Sequence, residues 1–351
     1  MAWVAGGIDS ASLRGLILER FSPKVASVIN RATLLGQMLG VGQCRNAIVW
    51  DVRYGTARPA NSVQADGADI STWGSDSLYK ASLYPGNYVQ AFTISDSAIL
   101  DAKLSGNPEQ LANLFEYSMM PAIEKLAIDI SYDCYLGTGA ANTILGLLYS
   151  AGSAGADRNG GMLAVGTYAS VPRATVTQFV GNVDSNGGVT RELTIPLMRK
   201  KDRVVYTASG RAADFIVTDP IQFEKYGALL GNQRRYLQDV TIQGRKVVLD
   251  AGFKALEFDG TPVFRDALCP AGYMLWVHSG SVHLLQEDDP EASLAIAGSY
   301  ENQFQGGPTG FRAHFTELGR TGLARKFAVW CKPQVQVEFP NWTGVLADLA
   351  S

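Results

Sequence analysis

The residues able to do chemistry are few and badly spaced for it. The four cysteines, Cys44, Cys134, Cys269 and Cys331, contain no CxxC or CxH pair, so neither a zinc site nor a dithiol motif is present. Free thiols of this kind are usually buried and reduced, and that is the expectation here. The three histidines are His278, His283 and His314. A separation of five suits neither one helix face nor one strand face, so His278 and His283 do not form a metal pair. Gly137-Thr138-Gly139-Ala140-Ala141-Asn142 has the look of a phosphate loop. It follows a helical pattern rather than a strand and has Asn at its sixth position, so a helix-ending loop is expected. Asp184-Ser185-Asn186-Gly187-Gly188 is calcium-like in composition but lacks the later Glu, and reads as a turn. There is no GxxxxGK[ST], GxSxG or HExxH. The sequence therefore points to no catalytic residue, no cofactor and no metal.

Composition narrows the classes further. Thirty basic residues against 33 acidic ones give a net charge of −3 over 351 residues, too neutral for a clamp that neutralises many phosphates. No apolar run approaches the ~20 residues of a membrane span, and Met1 to Ser12 does not read as a secretory signal. Charged residues make up only 18%, against a typical value of about 25%, and there are 37 glycines. Such a surface suits a chain covered by neighbours and built with extended arms.

The elements that must position this surface follow in order. Residues 1–46 read as an arm: Leu13, Leu16, Ile17, Phe21, Val25, Val28, Ile29, Leu34 and Leu35 recur at helical spacing, broken by Pro23. The arm packs either on the chain's own core or on a neighbour. A strand is expected over Ala47–Tyr54, then a polar stretch over 55–77, then an extended run over Leu78–Ile94 with Tyr88, Phe92 and Ile94 on one face. Strand, long tip, strand makes a hairpin arm. Loops beyond ~12–15 residues are uncommon in compact domains, so this tip is expected to lie on another molecule.

Asn107 and Pro108 open the strongest helix, with Leu111, Phe115, Met119, Ala122, Leu126, Ile130 and Cys134 along one face. About 30 residues would make a rod of roughly 45 Å, with a kink or a break into two helices expected at Pro121. Residues 137–189 read as loop-rich, with weak strand signals over Met162–Val171 and Val176–Val180. Ala213–Val217 reads as a buried strand running into a helix. Asp219 caps that helix, Pro220 takes its first turn, Gln222 is placed to reach back, and Gly231 ends it. A compact α/β subdomain over about 140–250 is implied.

From Leu256 the sequence reads Leu256-Glu257-Phe258-Asp259-Gly260-Thr261-Pro262-Val263-Phe264-Arg265-Asp266, then Cys269-Pro270-Ala271-Gly272-Tyr273-Met274-Leu275-Trp276. This is a hairpin with an Asp-Gly turn, followed by a Pro/Gly turn into a further strand. It resembles the F-x-G-x-P-[IV]-x-x-D … P-x-G signature of tailed-bacteriophage major capsid proteins. The order of elements resembles theirs as well. The resemblance covers most of the chain up to about residue 285.

The resemblance implies an α+β Hong Kong 97-like fold. In family terms, 1–46 would be the N-terminal arm, 47–95 the E-loop, 96–139 the P-domain spine helix and 140–250 the A-domain. Residues 251–351 would be the P-domain sheet with a C-terminal elaboration, whose acidic run Glu287-Asp288-Asp289-Pro290-Glu291 precedes a strand-like close over Lys326–Phe339. It also implies a non-catalytic major capsid protein of the virion, assembled in the host bacterial cytoplasm into an icosahedral shell around double-stranded phage DNA. Its partners would be itself, as hexamers and pentamers, a portal and decoration proteins, with weak inner-surface contact to packaged DNA and no membrane. Because Met1 leads directly into the arm, a separate scaffolding protein is expected rather than a cleaved segment. Contact residues are expected on the E-loop, at Arg58, Asp66, Asp69, Trp73 and Lys80. Some relatives weld their shells through an isopeptide bond from an E-loop lysine to a neighbour's Asn. Lys80 is the sole lysine between Lys24 and Lys103, and no partner Asn can be assigned. The alternatives are an encapsulin-type nanocompartment shell, and an α+β enzyme with an unrecognised site.

Overall fold

The computed structural model describes residues 34–44, 46–56, 76–104, 108–152, 166–176, 179–231, 236–237, 239–242, 245–248, 255–287 and 314–350. Most of the expected arm and residues 57–75 of the hairpin tip lie outside them. In chain order the first elements are helix α1 (Leu34–Leu39), β1 (Val41–Cys44), β2 (Ile48–Thr56), β3 (Asp76–Leu83), β4 (Tyr88–Ser95), α2 (Asp96–Leu104) and α3 (Pro108–Leu136). Next come α4 (Leu147–Ala151), β5 (Thr167–Tyr168), β6 (Val171–Pro172), β7 (Asn182–Asp184), α5 (Ile195–Ser209), β8 (Phe215–Thr218) and α6 (Pro220–Leu230). The strands β9 (Tyr236–Leu237), β10 (Asp239–Ile242), β11 (Arg245–Val248), β12 (Ala255–Phe258), β13 (Thr261–Arg265), β14 (Met274–Val277) and β15 (Val282–Glu287) follow. The chain closes with β16 (His314–Thr321), β17 (Ala324–Cys331), β18 (Pro333–Val337) and β19 (Gly344–Leu346).

The largest sheet has the order β7-β19-β14-β8-β13-β12-β9. It takes strands from both sides of residue 250, so the expected subdomain at 140–250 does not close on itself. The Asp259-Gly260 turn is as the sequence suggests. Phe258 pairs with Thr261, and the two turn residues have φ of 45° and 87°, a two-residue connection with both centres left-handed. Asp219 caps α6 by accepting a hydrogen bond from the Gln222 amide at 3.2 Å. The Gln222 side chain does not reach back, however; it donates to the Ala350 carbonyl at 2.6 Å. Tertiary geometry wins over the local capping pattern here.

The expected Leu78–Ile94 run is two strands. β3 pairs antiparallel with β2, from Ile48↔Leu83 out to Thr56↔Asp76. β4 leaves for a different sheet, β16-β17-β4, and pairs with β17 along its length. Residues 34–44 of the expected arm pack on the chain itself, since Leu34, Leu35 and Met38 are buried and β1 pairs parallel with β15. The expected strand at Lys326–Phe339 is split into β17 and β18, and β16 lies within the expected C-terminal elaboration.

Helix α3 runs unbroken for 29 residues with Pro121 inside it. Pro121 is exposed, so the Tyr117 carbonyl it leaves without an amide donor can turn to water. The buried face carries Phe115, Met119, Ile123, Leu126, Ile130 and Cys134, with Ile123 rather than Ala122 in the stripe. This face lies on β4, and Phe115 meets Phe327 of β17 edge-on at 5.4 Å. Gly137 ends the helix because no side chain fits: a Cβ there would sit 2.1 Å from the Ile144 carbonyl oxygen. The loop that follows is the helix-ending loop expected. The helices α4 and α5 are not foreseen by the sequence reading, and residues 176, 179 and 180 form no strand.

Candidate assembly surfaces

The groups capable of chemistry are committed to structure. Cys134, Cys269 and Cys331 are buried and Cys44 is half-buried; none forms a disulfide. Burial holds the thiols of Cys134, Cys269 and Cys331 well above their ordinary range, and burial together with Glu287 pushes Cys44 up to about 11. Such thiols are poor nucleophiles at neutral pH. Two carboxyl groups, the half-buried Asp133 and the buried Asp266, each take a phenol: Tyr88 donates to Asp133 and Tyr135 donates to Asp266, both at 2.6 Å. Burial raises both carboxyl pKa values against the pull of these hydrogen bonds. The pairs bind the C-terminal turn of α3 to β4 and to the end of β13. Arg173 is equally internal, donating to the Tyr149 and Ser150 carbonyls with its guanidinium 5.6 Å from the Tyr168 ring. His278 lies against Trp342, 3.6 Å from Asp214, and His283 lies 3.7 Å from Glu338. Among the described residues no three His, Cys, Asp or Glu side chains are placed to hold a metal ion. Nor is any described helix long and apolar enough to cross a membrane.

What the molecule offers outward is surface. β2 and β3 form a two-stranded ribbon with no third strand among the described residues. Such a ribbon is marginal by itself. Its base is fixed by Ile48, Val52, Ala81 and Leu83, which face inward, and by the Ser82 amide donating to the Ala169 carbonyl at 2.9 Å. The opposite face presents Val49, Asp51, Arg53, Leu78 and Lys80 to solvent. Val49 and Leu78 are 48% and 61% exposed, which costs hydration free energy for side chains of this size. Lys80 stands on this face directly opposite Asp51. Arg58, Asp66, Asp69 and Trp73 lie outside the described residues, so the expected contact set is represented by Lys80 alone.

The sequence reading missed a second outward surface. Along the solvent side of α3, Tyr117, Ile128 and Tyr132 are exposed, Tyr117 by 83%. With Pro121 they recur at spacings of four, seven and four, which keeps them on one stripe of a helix. That periodicity is present in the sequence, alongside the stronger buried stripe of the same helix. Near the end of the three-stranded sheet, Leu323 is 77% exposed and its carbonyl accepts the Asp96 amide at 2.8 Å. Leu100 and Leu104 follow along α2, also exposed. Single exposed apolar residues are ordinary; aligned ones mark surfaces that meet something.

No protein-family model matches the sequence, and no curated protein matches it. Solved structures do match, along nearly the whole chain. The capsid asymmetric unit of cyanophage A-1(L) is similar with a TM-score of 0.68 at 18% identity, covering 92% of this chain and 94% of that one. The encapsulin SrpI of Synechococcus elongatus PCC 7942, in its holo complex, is similar with a TM-score of 0.53 at 11% identity, over 99% of this chain and 92% of that one. A chain of Mycobacterium phage Bobi gives 0.51 at 12% identity, over 99% of this chain and 100% of that one. The chain therefore has the mixed α+β Hong Kong 97-like fold. At these identities the likeness establishes architecture alone.

Proposed function

We propose that this chain is the major capsid subunit of a tailed bacteriophage, which assembles with copies of itself into an icosahedral shell around double-stranded DNA. The observation that carries this reading is the likeness to the cyanophage A-1(L) capsid, which extends over more than nine-tenths of both chains. The surface supports it. A two-stranded ribbon with apolar residues outward, a spine helix with a second apolar stripe, and only 18% charged residues all suit lateral contacts. A shell needs many modest contacts, which closed symmetry multiplies. The role is structural: the described thiols are held protonated, Asp133 and Asp266 are tied to phenols, and Asp219 and Asp348 to backbone amides. Further partners under this reading are a scaffolding protein, a portal and decoration proteins, with hexamers and pentamers as the building units.

A second reading has a specific support, the likeness to SrpI across 99% of this chain. There the shell would enclose protein rather than a genome. Contents separate the two. Particles made in a cell that also expresses the neighbouring genes, purified and treated with nuclease, are expected to retain protected double-stranded DNA. Particles without protected DNA that carry one stoichiometric foreign protein would favour the encapsulin-type shell.

A further inference from the structure

The seven-stranded sheet is closed by the last residues of the described chain. β19 lies inside it, antiparallel to β14 and parallel to β7, with Gly344 opposite Asn182. The segment 182–209, comprising β7, a turn and α5, has its principal contacts there. The main neighbours of β7 are β19, α5 and the 3₁₀ turn at Pro340–Trp342; those of α5 are the same turn, β19 and β7. Gly344 passes so close beneath α5 that a Cβ would lie 2.4 Å from Val205 Cγ2.

Polar contacts add to this. Asp348, 1% exposed, accepts the Asn186 and Gly188 amides at 2.8 and 3.0 Å and so shapes the turn after β7. The Arg191 amide donates to the Asp348 carbonyl, and the Ala350 amide donates to the Arg191 carbonyl, both at 2.8 Å. From the other side, Gln222 and Lys225 of α6 reach the Ala350 carbonyl at 2.6 and 2.7 Å. Thr343, Val345, Leu346, Ala347 and Leu349 are all buried to 1% exposure or less.

We propose that residues 340–350 form a latch that docks segment 182–209 onto the sheet, so that this part of the molecule forms only after residues 340–350 have emerged from the ribosome. A chain grows from its N-terminus at ~5–20 residues per second, so the roughly 130 residues between the two segments take on the order of 10 s to make. During that time β7 lacks its neighbouring strand, and the Asn186 and Gly188 amides lack their acceptor. The exposed Val204 and Tyr206 of α5 belong to the surface that is delayed. Resting on the shell-subunit reading, the consequence is that nascent chains whose residues 340–350 have not yet emerged do not present this surface to their neighbours on the same messenger.

Trypsin tests the latch without any particle, because Arg191, Arg199, Lys200 and Arg203 all lie in the docked segment. Two ribosome-bound species are compared: one stalled with residues 1–339 outside the tunnel, the other carrying a flexible C-terminal linker that brings Ala350 outside. Cleavage at these four sites is expected to be at least tenfold slower in the second. Equal protection in both would overturn the proposal, as would equal sensitivity. In the released full-length chain, Asp348→Ala should raise cleavage at these sites several-fold while sites in β13 and β17 stay protected, and Asp348→Asn should restore most of the protection. A uniform rise across the chain would contradict a local latch. A failure here leaves the shell reading standing, since that reading is scored by particles.

Discussion

Lys201 is a buried side chain whose environment is at odds with its charge. It is 2% exposed, and a Cβ on Gly344 would come within 3.2 Å of its Cε. Burial lowers its pKa to about 7, with Asp184 acting in the opposite direction. The unfolded chain keeps the ordinary value near 10.5, so between about pH 7 and 10.5 the unfolded state binds more protons than the native state. Native stability therefore rises with pH through that window and is flat just below it, where both forms are protonated. Lys201→Met removes the buried amine, and the expected gain in unfolding free energy is on the order of 1–4 kcal/mol at pH 6. That gain should shrink steadily towards pH 10. Denaturant unfolding of both proteins at pH 6, 8 and 10 measures it, and a gain that does not vary with pH would contradict the assignment.

At the scale of elements, α3 and the β2–β3 hairpin matter most. A proline inside a helix costs up to ~3 kcal/mol relative to alanine. Because Pro121 is exposed and α3 is unbroken around it, Pro121→Ala should stabilise the isolated subunit by about 1–3 kcal/mol, read as a rise in thermal midpoint. An unchanged or lower midpoint would mean the proline contributes something the helix geometry does not display. For the hairpin, Trp73→Ala is expected to cut particle yield while leaving the melting curve of the unassembled subunit unchanged; equal particle yield would remove Trp73 from the contact set. The two elements also show what the sequence could and could not reveal. The Asp259-Gly260 turn, the Asp219 cap and the buried stripe of α3 were legible because each is dictated by residues a few positions apart. The separation of β3 from β4 was not, since β4's partner β17 lies more than 200 residues away and no local signal marks the change of sheet. Helix α5 was missed for a related reason. Its buried residues Met198, Lys201 and Val205 give it only three inward positions, and one of those is a lysine. Of the candidate contact residues, Lys80 is placed on the exposed face of the hairpin, while the other four lie outside the described residues.

For the molecule as a whole, the distribution of surface matters more than any single site. The buried chemistry is internal bracing, and aligned exposed apolar residues lie on the ribbon, on α3 and near the end of the β16-β17-β4 sheet. A monomer meant to stay alone has little use for three such surfaces on a chain with a net charge of only −3. The central claim is that these surfaces meet copies of the same chain in a closed shell. Negative-stain electron microscopy of the purified recombinant protein, made alone and with the products of its neighbouring genes, tests that claim most directly. Uniform hollow polyhedral particles or flat hexameric sheets are the expected result. A monodisperse small species in every condition would contradict it.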